Sequence, residues 1–381
     1  MKRYLIYPAV LLLAACTSGP VEEMPETARL VAVSFSKPDL GVPVVLTRAD
    51  ETPEPATVPE LVPLPEGATV RIRAYFRGKV GSRPSPADFS TAAPSFEATY
   101  EVEADGSLSP CQVDDEGVKT AGETEKLIVR SGVYDFYAVS PARALVKSQG
   151  TYRITDIPHK EDVMTSFARG VTITGSTHRV RLETFRRRCA LVVFTVAPAE
   201  DNVLPFSKLS ATCLTISRIS SSGATLAVGE DTAIPATGGA DDENAVVTFG
   251  EDEFEAVEAG ADPDGAGLNK TKGVLLPKTD APFDVEIGVQ RDGETATLRA
   301  TIDKKIPFCE GQRYLFTLRV KNNESRLQMQ VQAWNDYVFT FPNVGAPDVP
   351  YPDPDITTGT GTEITVASWK EIVWSSEAGG E

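Results

Sequence analysis

The chain has 381 residues, with 37 Lys and Arg against 54 Asp and Glu, and a formal net charge of −17. That charge argues against partners such as nucleic acid or an anionic membrane surface, and it suits a soluble, exposed extracellular protein. Gly (29) and Pro (28) are abundant and long helical patterns are missing, while the length allows two domains.

The first element is a leader. Lys2 and Arg3 precede an apolar run from Leu5 to Ala15, interrupted by Pro8. A membrane-spanning helix needs about 20 apolar residues, so this run is too short to span. Charge, then apolar, then small residues is the pattern of a secretory signal. The small pair Ala14-Ala15 runs into Cys16, where an ordinary signal would end in Ala-x-Ala. This resembles the bacterial lipobox, in which the cysteine thiol is acylated and the signal is cut just before it. Cys16 is therefore the expected lipid anchor, and the expected location is the outer membrane of a Gram-negative envelope. The alternative is an ordinary secreted protein. Several acyl chains hold a protein to a membrane where one would not.

Strands follow. In RIRAYFR, Val70, Ile72, Ala74 and Phe76 share one face, and Arg71, Arg73, Tyr75 and Arg77 the other. Tyr100, Val102 and Ala104 alternate with Glu101, Glu103 and Asp105. Cys189 to Val196 is a continuous apolar run, the mark of a strand covered on both faces. Val285, Ile287 and Val289 form one face of another strand. So do Tyr314, Phe316, Leu318 and Val320, and so do Leu327, Met329, Val331 and Ala333. Period-two alternation is the signal of half-buried strands. Turn signals at Gly106-Ser107, Asp292-Gly293 and Glu310 to Gln312 separate them. The reading is all-β, built as sandwiches, with a change of domain near residue 185. The acidic, Gly-rich stretch from Ala240 to Lys272 reads as a solvated loop with one short strand. Residues Pro342 to Gly361 read as an extended or flexible linker. Thr362 to Trp374 is strand-like again, and a lone strand beyond a linker is a liability unless something pairs with it.

Chemistry-bearing constellations are missing. His159 and His178 are the only histidines, in neither metal nor triad spacing, and Gly-x-Ser-x-Gly, phosphate loops and HExxH do not occur. ADPDGAG lacks the distal Glu of a calcium loop. Cys111, Cys189, Cys213 and Cys309 have no CxxC spacing; they are read as buried thiols or bridges, with three possible pairings. No enzymatic activity, cofactor or metal is expected.

Three places, taken in order, resemble the fimbrillin family, the subunits of type V pili. The first is ARLVAVSF (first strand), a loop, VVLTRAD and ATVRIRAYFRG. The second is VRLETFRRRCALVVFTV, a strand, a basic junction and an apolar strand. The third is GQRYLFTLRV, then LQMQVQAW closing on Trp334. The resemblance implies two tandem transthyretin-like β-sandwich domains. It divides the chain into a lipoprotein signal (1–15), a propeptide with the first strand (16–48), two sandwiches (49–185 and 186–342) and a linker with a donor strand (343–381).

It also implies assembly by strand exchange. A lipid-anchored precursor reaches the surface, an Arg-specific surface protease removes the first strand, and a neighbouring pilin subunit's C-terminal strand fills the groove. Such a contact restores main-chain hydrogen bonds and, being head-to-tail, builds open filaments. The candidate cut is Arg48-Ala49, in the polar, Pro-rich TRADETPEP; Arg29 is a weaker candidate, since it precedes the strand that should be lost. The candidate donor face is Ile364 and Val366, continued by Ile372 and Trp374, with Tyr337, Phe339 and Phe341 as a second candidate. The tail pairing within its own domain is the alternative. The implied role is a fimbrial subunit that supports adhesion to a host or bacterial surface receptor. The rival reading is a monomeric surface lipoprotein that binds glycans through Trp334, Trp369 or Trp374.

Overall fold

The computed structural model describes residues 30–40, 62–122, 124, 126–198, 209–237, 245–257, 268–278, 282–291, 294–302, 307–320, 325–333, 364–365 and 371–376. Among these the chain is all-β, and the one helical element is a 3-10 turn at Glu251–Glu253. Residues Gly106 and Gly311 take φ of +78° and +67° at two of the turns read from sequence; Asp292-Gly293 lies outside the described residues.

In the N-terminal half, one sheet runs in the order Arg186–Arg187, Met164–Ile173, Gly132–Ser140, Thr69–Gly78, Phe96–Val102, Leu108–Pro110. Val70, Ile72 and Ala74 point to a core shared with Tyr100, Val102, Phe136 and Ala138. The opposite face of Thr69–Gly78 is not solvated as its polar pattern suggests. Arg73 is 5% exposed and Tyr75 2%, because a further core covers that face. Arg73 donates through Nε to Glu97 and through Nη2 to the Leu145 carbonyl, and it lies over the Tyr152 ring, while its buried Nη1 has no hydrogen-bond partner among the described residues. Phe76, expected inside, is 46% exposed. The pairing shifts by a bulge at Val133/Tyr134, and the Phe76 ring lies against Gly132, where a Cβ would come within 2.5 Å of it. Ala104 falls in the turn after Val102, not in the strand.

The C-terminal half carries two sheets. One runs Glu255–Val257, Leu268–Leu275, Ala190–Pro198, Gln312–Val320, Ser325–Ala333, Ile364–Thr365. The other runs Val246–Gly250, Leu209–Ser217, Phe283–Arg291, Glu294–Ile302, Glu371–Ser376. Val192, Phe194, Val285, Ile287, Phe316 and Leu318 fill the space between them. Phe194 stacks on Phe316 with centroids 4.6 Å apart, across a parallel pairing of their two strands. The acidic stretch holds more structure than one short strand: Val246–Gly250, Glu255–Val257 and the start of Leu268–Leu275 all pair. Pairing there is set by long-range register, which loop-like composition hides.

A third core joins the halves. Val139, Leu145, Ile154, Ile157 and Val163 pack with Leu191, Val193, Leu226, Val274 and Leu276. Thr151–Ile157 also pairs with Ala224–Ala227, so one small sheet crosses the joint. The apolar run from Cys189 is thus buried on both faces because its two faces serve two cores.

Candidate functional site at the two chain ends

The N-terminal segment is a central strand of the layer that faces the first sheet. Leu30–Ala32 pairs antiparallel with Ile128–Arg130, and the Val33 N–H donates to the Leu127 carbonyl at 2.9 Å. One residue later the segment bonds on its other side. The Ser34 and Ser36 N–H groups donate to the His178 and Val180 carbonyls at 3.0 and 2.8 Å, and Ser34–Phe35 pairs parallel with Arg179–Val180. Farther on, Asp39–Leu40 pairs with Val62–Pro63, and the Phe185 N–H donates to the Asp39 carbonyl at 2.7 Å.

The side chains alternate accordingly. Leu30 stands outward, 64% exposed, while Val31, Val33, Phe35 and Leu40 are buried. Each contributes about 1.5–3 kcal/mol on burial, so the four together contribute on the order of 6–12 kcal/mol. That is the size of a whole domain's net stability. Strands 128–130 and 179–180 take their pairing in this layer from the segment between them.

The C-terminal tail also forms strands. Ile364 sits opposite Met329. Glu371–Ser376 lines the edge of Glu294–Ile302, with Ile372 opposite Leu298 and Trp374 opposite Ala296. Leu298 and Ala296, the residues they oppose, are buried. The tail therefore pairs with both sheets of the C-terminal half of its own chain. Cys16, Arg29, Arg48, Ala49, Val366, the Tyr337–Phe339–Phe341 set, Trp334, Trp369 and ADPDGAG lie outside the described residues.

Charge concentrates at the joint, where the sequence marked the basic junction but not the acidic groups that meet it. Arg187 and Asp162 meet at 3.0 Å with both side chains 4% exposed. Arg143 grips Glu161 at 3.0 and 2.8 Å; burial nevertheless pushes the Glu161 carboxyl up to about 7 from its usual 4.5. His159 reaches into the C-terminal half. Its Nδ1 accepts from the Leu276 N–H at 3.2 Å, which leaves Nε2 as the donor to the Ser220 carbonyl at 2.6 Å. Burial holds this imidazole below its usual pKa. The four cysteines in the described region are free thiols, and burial pushes the Cys111 thiol up to about 11. Among the described residues, no group of three or more His, Cys, Asp or Glu is placed to hold a metal ion.

A family model described as fimbrillin-like matches residues 30–338. Among solved structures, a candidate cell adhesion protein from Bacteroides fragilis is 21% identical with a TM-score of 0.51, covering 81% of this chain and 100% of that one. A second, from Bacteroides uniformis, is 16% identical with a TM-score of 0.47, covering 80% and 99%. The tip fimbrial protein Mfa3 from Porphyromonas gingivalis is 8% identical with a TM-score of 0.35, covering 71% and 95%. The first of these likenesses is one of fold. No functionally curated protein matches the chain.

Proposed function

Because the chain belongs to the fimbrillin-like family, a family of structural proteins and not of enzymes, we propose that it is a subunit of a cell-surface fimbria. It is exported as a lipoprotein on Cys16 and assembles with other pilin subunits by strand exchange. A cut after Arg48 separates residues 16–48 from the two sandwiches, 49–185 and 186–342. Loss of the segment then leaves a slot between Ile128–Arg130 and Arg179–Val180, floored by Tyr100 and Phe136. A neighbour's tail, residues 362–376, refills it with backbone bonds and alternating side chains. Donor and acceptor are different surfaces, so the contact propagates as an open filament.

The observation that carries this reading is the two-sided bonding of residues 30–36. A segment at the sheet edge would leave a sheet behind when removed; this one leaves two unpaired strands. The test is polymerisation of the chain cut in 41–61, with and without residues 362–381. The cut chain should form filaments, and the tail-deleted cut chain should stay monomeric. Filaments formed without the tail, or formed as readily by uncut chain, would overturn the reading.

A further inference from the structure

The tail that would leave for a neighbour is already in use. Residues 364–365 cover the edge strand Ser325–Ala333, and residues 371–376 cover the edge strand Glu294–Ile302. One continuous stretch thus closes an edge of each sheet in the C-terminal half. On the opposite side of the same sandwich, residues 246–257 do the equivalent, pairing with Leu209–Ser217 and then with Leu268–Leu275. Exposed edges are templates for uncontrolled pairing, so a tail pulled away uncovers two of them at once.

The register carries a charge feature. Arg299 is opposite Glu286 on one side and Glu371 on the other. Its Nε is 2.8 Å from the Glu286 carboxylate, and its side chain is largely exposed. Glu286, Arg299 and Glu371 therefore occupy one cross-strand register row. Opposite charges directly across a sheet stabilise pairing, and like charges oppose it. Arg299 lies on the acceptor edge, so it can be changed without altering the tail.

From this arrangement we infer that residues 371–376 are a latch, held in cis on Glu294–Ile302 through the Arg299 row, and that assembly requires two releases. One is loss of the N-terminal segment; the other is unlatching of the tail. The latch keeps the precursor self-complemented at both ends before it reaches its neighbours. This rests on the strand-exchange reading for its purpose, but the latch itself is a property of the single chain.

Two measurements separate the two ideas. In the uncut chain, amides of 294–299 and 371–376 should be protected from hydrogen exchange, and Arg299→Glu should lower the protection of 371–376 about 2- to 10-fold while 283–291 keeps its own. Unprotected 371–376 in the unaltered chain would overturn the latch. In the cut chain, Arg299→Glu should raise the initial rate of polymerisation about 2- to 10-fold. A disulfide between Thr297→Cys and Val373→Cys should block polymerisation until reductant is added. Polymerisation of Arg299→Glu at the unaltered rate, with tail deletion still blocking it, would overturn the latch and leave strand exchange standing. No effect of tail deletion would overturn strand exchange, with the exchange data still deciding the latch.

Discussion

The Phe35 ring meets the Phe136 ring edge-on, with centroids 5.9 Å apart at 86°, while Tyr100 meets Phe35 at 5.4 Å and 69°. Phe35 belongs to the segment proposed for removal, and its two partners to the sheet that remains. Phe35→Ala in the uncut chain should therefore cost about 3–5 kcal/mol of N-terminal-half stability. Leu30→Ala, on the outward face, should change it by no more than about 0.5 kcal/mol. Urea unfolding of both variants checks this; equal effects would show that the segment does not bury its alternate side chains as described.

Cutting the backbone should not by itself release the segment. Leu40 and Val62 are paired across the cut region, the Leu64 N–H donates to the Pro38 carbonyl at 3.0 Å, and Leu40 is 2% exposed. After a single cut between 41 and 61 in a chain lacking residues 362–381, the N-terminal fragment should co-elute with the body in size exclusion and separate in denaturant, since no neighbour's tail is there to displace it. Spontaneous loss of the fragment would contradict the bonding described here.

The joint should respond to pH through two opposed groups. The folded state holds His159 neutral, so below about 6.5 the unfolded chain binds the proton first and stability falls. Glu161 works the other way: its carboxyl is raised to about 7 from 4.5. As pH falls through 7 the folded state takes up that proton first, and stability is gained down to about 4.5. Removing the second group should unmask the first. Glu161→Gln should lose stability more steeply than the unaltered chain between pH 6.5 and 5, as read from thermal midpoints. A parallel pH profile would contradict the assignment.

The buried pair Asp162–Arg187 gives a fourth test. Deleting one partner leaves a buried charge, so Asp162→Ala should cost about 3–5 kcal/mol. Replacing both together by apolar residues of similar volume should restore most of that loss. If the double variant is as unstable as the single one, the pair is holding something beyond its own charges.

Much of the sheet structure was legible because burial on one face writes itself as alternation. Val285, Ile287 and Val289, and Tyr314 through Val320, are inside as their period predicts. The continuous run after Cys189 correctly marked a strand with two buried faces. The joint was not legible. Arg73 and Tyr75 look like a solvated face, and only the fold shows that the 145–163 region and the C-terminal half cover them. His159 gave no sign of its role either, because its partners are backbone groups of Ser220 and Leu276, which no side-chain pattern reports. For the candidate site, the resemblance identified ARLVAVSF as a strand, but not that it bonds on both sides. Its partners at 127–130, 178–180 and 185 are distant in sequence and too short to carry a period.

The most direct measurement is the N-terminal sequence of the protein sheared from the cell surface as filaments. A start at Ala49 is predicted, with the segment containing Phe35 gone and the slot beside Phe136 available to a neighbour's strand. Filaments whose subunits retain a lipidated Cys16 on a continuous chain would contradict removal of the N-terminal strand as the step that opens the subunit.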